Sequence, residues 1–358
     1  MSEAPIVDGL RTWREGALGR LRLARPLALN ALDHALVRAL QRGLDADLAD
    51  DDVRAILLDA EPGRAFSAGG DVRALFEGDE ATGLARRRAF IRDEYRLDLA
   101  IARSPKPVVA AIDGIAMGGG VGVSINAALP LACDAFSFAM PEVAIGFAPD
   151  VGATHFLGRM RHRIGFLLAL TGLRIDGADA EALGLVAARL RNAQLARLVA
   201  DLAAGRPAGE AVAAYATPRG EGGAVFAARE RIERWFGAPD LGAAFAALRT
   251  AAAGGDGLAG RALAGVEAAS PTSLAIAWAQ MSRPTPDLAA ALRLEYRIVS
   301  RIFEGDEMRE GVRALLIDRD KRPRWRPARL EEVTREAVEA HLAPLPDELD
   351  LGAEERAA

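Results

Sequence analysis

Across 358 residues there is a single cysteine, Cys133. No intramolecular disulfide can form, which predicts a reducing compartment, and the context "LACDAFSF" reads as a buried strand in which the thiol packs as a small hydrophobe. A basic surplus is missing too. The net charge is −5 and the pI about 5.6, so the chain has no electrostatic footprint for nucleic acid or an anionic membrane surface. The opening stretch "MSEAPIVDGLRTWREG" lacks a charged segment followed by an apolar run, and no uninterrupted apolar run is long enough to span a bilayer. These absences predict a cytoplasmic protein with no nucleic-acid or membrane partner. The four histidines, His34, His155, His162 and His341, show no metal-ligand spacing. No G-x-S-x-G elbow and no phosphate loop with its Lys-Ser/Thr occurs either. The expectation is no metal site and no cofactor.

What is present fits a folded protein with a large core: 51% hydrophobic and 27% charged residues, with a mean hydropathy of +0.08. The first half alternates strand and helix signals. Residues 19–26, 53–60, 107–114 and 131–140 read as strands, and the Leu, Val and Ala of 32–48 recur at helical intervals. Strands buried under helices predict an α/β architecture. After about residue 160 the strand signals fade into Ala- and Leu-rich helical text. "GRPAGEAVAAYATPRGEGGA" (205–224) is the most linker-like stretch. The expected division is a strand-bearing core over 1–205 and a helical region over 206–358. Helices are predicted over 270–281, opening on Ser-Pro, and over 287–303, which is amphipathic.

Two local patterns carry chemistry. "FSAGGD" (66–71) and "MGGGVG" (117–122) each follow a strand and open a helix. Glycine brings backbone N–H groups up to a ligand without a Cβ in the way, and a helix start adds unsatisfied donors and partial positive charge. Two such turns meeting at one point make an oxyanion hole; tight strand-to-helix turns needing small residues are the alternative. "MPEVAIGFAPDVGAT" (140–154) sets Glu142 and Asp150 eight positions apart in apolar surroundings. A buried carboxylate is costly, so either each acid has a structural partner or the pair serves chemistry. The run "ARRRAF" (85–90) reads as a solvated helix face, with phosphate contact as the alternative.

"GRAFSAGGDVRALFE", "KPVVAAIDGIAMGGGVGVS", "FAMPEVAIGFAPDVGATHFLGRM" and "LALTGLRIDGADAEALGL" follow one another in this chain. In order and spacing they resemble the crotonase (enoyl-CoA hydratase/isomerase) superfamily over about residues 10–342. "SPTSL", "LEYRI" and "EGVRALLIDRDKRPRWRPA" look like its 3-hydroxyisobutyryl-CoA hydrolase branch.

The resemblance implies a spiral of ββα turns followed by a helical C-terminal region. It also implies an acyl-CoA substrate, of which coenzyme A is a part rather than a separate cofactor, and an oxyanion hole built from the Gly70 and Gly119 amides. In hydratase relatives one essential glutamate sits three residues beyond the oxyanion glycine, where this chain has Gly122; the second corresponds to Glu142. Asp150 completes the set expected of the hydrolase branch. Glu142 would attack the thioester carbonyl or act as general base on water, and the sequence does not separate the two. Asp150 would bind substrate and move a proton. The resemblance places Glu94, in "DEYRL", against the substrate's 3-hydroxyl, with a surface helix glutamate as the alternative. The implied activity is thioester hydrolysis of 3-hydroxyisobutyryl-CoA in valine breakdown. Enoyl-CoA hydration or isomerisation is the competing activity, and CoA binding without catalysis the competing class. Trimers and hexamers are usual in the superfamily, while this branch need not form them, so homo-oligomerisation stays an open expectation.

Overall fold

The computed structural model describes residues 5–76 and 80–352, apart from the side chains of residues 80 and 81. Its contacts divide the chain into two compact units built from interleaved segments. The first takes the chain up to Asp71, then Asp93–Phe138 and Ile175–Ala227; the second takes Val72–Arg92, Ala139–Arg174 and everything from Ala228. This partition cuts the chain differently from 1–205 and 206–358, which distinguish strand-bearing from helical sequence. Among the described residues the last strand is Ala188–Arg189, and every element from Asn192 onward is helical.

A seven-stranded sheet organises the first unit, in the order Ile6–Val7, Leu10–Glu15, Leu18–Leu23, Ala55–Ala60, Val108–Ile112, Leu129–Ala132 and Ala188–Arg189. The first two pairings are antiparallel and all later ones parallel. Parallel strands are covered on their faces, hence the near-continuous apolar runs at 55–58 and 108–112. On one face Leu57, Val109, Ala111 and Leu131 pack with Leu198 and Leu202 of the helix Asn192–Ala203 and with Ala211 and Val212 of the helix Ala208–Tyr215. Residues 208–215 are therefore core helix, and the linker reading of 205–224 is corrected. Gly and Pro flank this short helix, and its small Ala residues disguise a buried face. The three strands Ala65–Ser67, Ile115–Met117 and Ser137–Ala139 form a second, small sheet.

The single strand expected over 131–140 is also corrected. The chain leaves the large sheet after Ala132, turns through Cys133–Phe136 and enters the small sheet at Ser137. Asp113 accepts the Ala135 N–H in that turn at 3.0 Å. Cys133 is buried in the core, and burial first, then the charges of Asp113, Asp134 and Asp59, push its thiol up to about 12. It packs and does not react.

The second unit is helical. Several of its helices begin on acidic or hydroxyl caps that accept a backbone N–H, among them Asp240 before Leu241–Ala253, Asp256 before Gly257–Ala268, Ser270 before Pro271–Met281 and Asp287 before Leu288–Ile302. Phe166 meets Trp278 edge to face at 5.0 Å. The solvated face expected at 85–90 is corrected at Arg87, which is 3% exposed with its guanidinium over the rings of Phe76 and Phe303. Burying the stem and stacking the planar head resolves what sequence alone reads as a charge run.

Candidate active site

In the first unit the two glycine turns lie against each other. Gly69 has φ 96°, a left-handed conformation open to glycine, and a Cβ there would stand 2.9 Å from Met117 O. Ser67 braces the turn: its Oγ donates to Asn30 O at 2.8 Å and accepts the Gly69 N–H at 3.3 Å. Leu32 N–H donates to Gly69 O and Asp71 N–H donates to Leu32 O, both at 2.8 Å. That ladder straddles Gly70 and leaves its N–H outside. Gly119 is the first residue of the helix Gly119–Ile125, so its N–H has no intrahelical acceptor. The Gly119 donor thus stands at a helix start, and the turn that carries Gly70 lies against the residues just before it.

Glu94 joins them. It sits on the helix Glu80–Ala102 and is 2% exposed, so the surface reading is corrected. A Cβ added at Gly119 would fall 2.1 Å from Glu94 Oε1. Only glycine lets this carboxylate lie directly on the turn. Gly122, inside the same short helix, is buried.

Glu142 and Asp150 belong to the second unit. Glu142 opens the short 3-10 turn Glu142–Ile145, and its Oε2 is buried with no hydrogen-bond partner among the described residues. Burial is the main cause that pushes its carboxyl well above the usual range. The Asp150 charge adds to the rise, the residue's own backbone N–H opposes it, and Glu295 adds further. Ser270 N–H donates to Val143 O at 3.0 Å, which ties this turn to the start of Pro271–Met281. From the other side the helix Glu307–Val312 comes so close that a Cβ on Gly311 would stand 2.3 Å from Ile145 O.

Asp150 is 4% exposed and precedes two left-handed residues, Val151 at φ 55° and Gly152 at φ 94°. A β-branched residue there is strained, a cost on the order of 1–3 kcal/mol that the surroundings must offset. The residue that sequence reasoning did not find is Glu295, on the helix Leu288–Ile302. Its Oε2 accepts from Gly152 N–H at 2.7 Å, and its Oε1 from Thr154 N–H at 2.8 Å and Thr154 Oγ1–H at 2.7 Å. Those donors favour the charged form. Burial outweighs them, helped by the Asp150 charge, and pushes Glu295 up to about 8. The signal was available: residues 291, 295, 298 and 302 share one helix stripe, and only 295 is not apolar.

The four histidines each have a local partner. His34 meets Asp93 at 2.6 Å, His162 meets Glu233 at 2.5 Å, and His341 lies 2.8 Å from Ala337 O. His155 contacts Arg159, and burial followed by that cation lowers its pKa. Among the described residues no group of acids, histidines and cysteine is arranged to hold a metal ion, and no helix is long and apolar enough to cross a membrane.

Comparison with known proteins supplies the family. A model of the enoyl-CoA hydratase/isomerase family matches residues 18–342. The mitochondrial 3-hydroxyisobutyryl-CoA hydrolase of Gallus gallus is 37% identical over 339 residues, covering 93% of this chain and 88% of that protein. Its Homo sapiens counterpart is 34% identical with the same coverage. Among solved structures, a carnitinyl-CoA dehydratase from Mycobacterium thermoresistibile superposes with a TM-score of 0.89 at 36% identity, over 96% of this chain and 99% of that one. An enoyl-CoA hydratase from Rhodobacter sphaeroides gives 0.86 at 36% identity with the same coverage. The curated relatives are mitochondrial by name, which corrects the cytoplasmic expectation. A cellular address is carried by targeting segments, and the composition of the folded chain does not report it. On the family match and these identities, the chain belongs to the enoyl-CoA hydratase/isomerase family and has the crotonase fold.

Proposed function

We propose that this protein hydrolyses the thioester of 3-hydroxyisobutyryl-CoA, giving 3-hydroxyisobutyrate and free CoA, a step of valine breakdown. The observation that carries the reading is the acid set. Glu142 and Asp150 are present and buried, while position 122, a glutamate in the hydratases this chain resembles, is Gly122. Curated hydrolases of that name at 34–37% identity support it.

In the proposed chemistry the Gly70 and Gly119 N–H groups receive the thioester oxygen as it becomes an oxyanion, worth roughly 3–4 kcal/mol per donor. Glu142, as general base, takes a proton from water while the oxygen of that water bonds to the carbonyl carbon. The C–S bond then breaks and the thiolate leaves with a proton delivered by way of Asp150. Acting instead as nucleophile, Glu142 would form an anhydride that water opens. The raised pKa of Glu142 makes its ionised form the stronger base. Glu94 accepts a hydrogen bond from the 3-hydroxyl of the acyl group. Coenzyme A enters and leaves as part of substrate and product.

The second reading, hydration of an enoyl-CoA, is favoured by the likeness to the Rhodobacter sphaeroides enoyl-CoA hydratase at 36% identity. A side-by-side assay of thiol release from 3-hydroxyisobutyryl-CoA and of crotonyl-CoA hydration separates them. Hydration that rivals thiol release would overturn the hydrolase reading.

A further inference from the structure

The strained turn after Asp150 is held by two helices that follow it more than a hundred residues later in the chain. Glu295, fully buried at 0% exposure, takes the N–H of Gly152 and both the N–H and the hydroxyl of Thr154. Gln280 of the helix Pro271–Met281, also 0% exposed, donates through Nε2 to Pro149 O at 2.6 Å and to Thr154 Oγ1 at 2.7 Å. Thr154 is the joint, since its hydroxyl donates to Glu295 and accepts from Gln280. Asp150 is thereby bracketed, by Pro149 before it and by Gly152 and Thr154 after it. A carboxyl is a costly group to bury for a purely structural purpose. It has one property that an amide lacks, acceptors on both oxygens, and both are used here.

We propose that Glu295 is a positioning residue for Asp150, fixing the Val151–Gly152 turn so that the Asp150 carboxyl is held in a single orientation for proton transfer. The role assigned to Asp150 rests on the hydrolase reading; the clamp itself rests on the hydrogen bonds alone. An acid in a loop that wanders by an ångström loses rate with little change in substrate binding, because orientation matters at the transition state far more than in the ground state.

The test uses the full-length protein and three variants. Glu295→Gln retains an acceptor for one side of the clamp but turns an amide N–H₂ toward the donors on the other. Thr154→Val keeps the shape of residue 154 and removes its hydroxyl, whereas Thr154→Ser keeps the hydroxyl. Two readouts are taken: kcat and KM for thiol release from 3-hydroxyisobutyryl-CoA, and amide hydrogen exchange of residues 150–156 without substrate. Glu295→Gln and Thr154→Val are expected to lower kcat by about 10- to 100-fold with KM within about threefold of wild type. Exchange across 150–156 should rise about tenfold or more in both, while Thr154→Ser stays close to wild type in each readout. Equal exchange in wild type, Glu295→Gln and Thr154→Val would overturn the clamp. Faster exchange with unchanged kcat would overturn the positioning role. Should Glu295→Gln fail to fold, the Thr154 pair decides both points. A wild type that releases no thiol defeats the hydrolase reading and with it the positioning role, and the exchange measurement still decides the clamp.

Discussion

Glu142 is the residue on whose ionisation the proposed reaction depends. It must lose its proton to act either as base or as nucleophile, and burial, Asp150 and Glu295 all oppose that loss. Activity should therefore rise with pH through an apparent pKa above the ordinary carboxylate range, set by the three acids as a group. Glu142→Gln should lower kcat by about 10²–10⁴ and abolish that rising limb. Near wild-type turnover in a folded variant would remove Glu142 from the mechanism.

In the proposed reaction Glu94 is the group that would carry the selectivity. The oxyanion donors and Glu142 act on the thioester, which every acyl-CoA shares, so discrimination has to come from a group that meets the acyl chain. A site built around a hydroxyl penalises an analogue without one, because its polar group is left buried and unpaired. The wild type should prefer 3-hydroxyisobutyryl-CoA over isobutyryl-CoA by about 30- to 1000-fold in kcat/KM, and Glu94→Ala should narrow that gap. An equal fall on both substrates would show that Glu94 serves the fold instead. The glycine turns were legible because close backbone approach demands residues without a Cβ, and the two acids stood out against apolar neighbours. Glu295 did not. On a helix that also carries Arg293 and Arg297, a glutamate reads as one more surface charge until its position on the apolar stripe is counted.

The late helices explain why the sequence motifs near the end of the chain matter. Ser270 caps Pro271–Met281 and its N–H holds Val143; Glu295 holds the turn after Asp150; Gly311 lets Glu307–Val312 press on Ile145. The three motifs converge on residues 143–154. Gly311→Ala tests this without touching a candidate catalytic group, since its Cβ would meet a backbone carbonyl that cannot swing away. It should destabilise the protein by about 1–3 kcal/mol in denaturant unfolding and lower kcat, because the turn that carries Glu142 has to shift. Wild-type stability and rate together would mean that this contact constrains nothing. Helix spans were readable where caps are explicit, as at Ser270 and Asp287, each one residue before its helix. Strand continuity through 131–140 was not, since the break at Cys133–Phe136 is made by tertiary hydrogen bonds, from Ala135 N–H to Asp113 and from Asp134 N–H to Asn192, rather than by glycine or proline.

For the molecule as a whole, the fold does not decide the reaction. Solved structures of a dehydratase and of a hydratase share this fold at 36% identity, and curated hydrolases share 34–37% of the sequence, so the activity lies in a few side chains. Hydration of a double bond by the hydratase route needs a carboxylate at position 122 to help hold the water, and Gly122 has none. Thioester hydrolysis needs an oxyanion hole and one strong base, and Gly70, Gly119 and Glu142 are the groups available for it. The most direct measurement is a steady-state comparison on the wild-type protein of thiol release from 3-hydroxyisobutyryl-CoA with water addition to crotonyl-CoA. Rapid release of free CoA, with crotonyl-CoA hydrated at least about a hundredfold more slowly in kcat/KM, is the predicted result, the gap expected from the loss of one positioned acid–base group. Efficient hydration of crotonyl-CoA with little or no thiol release would contradict it.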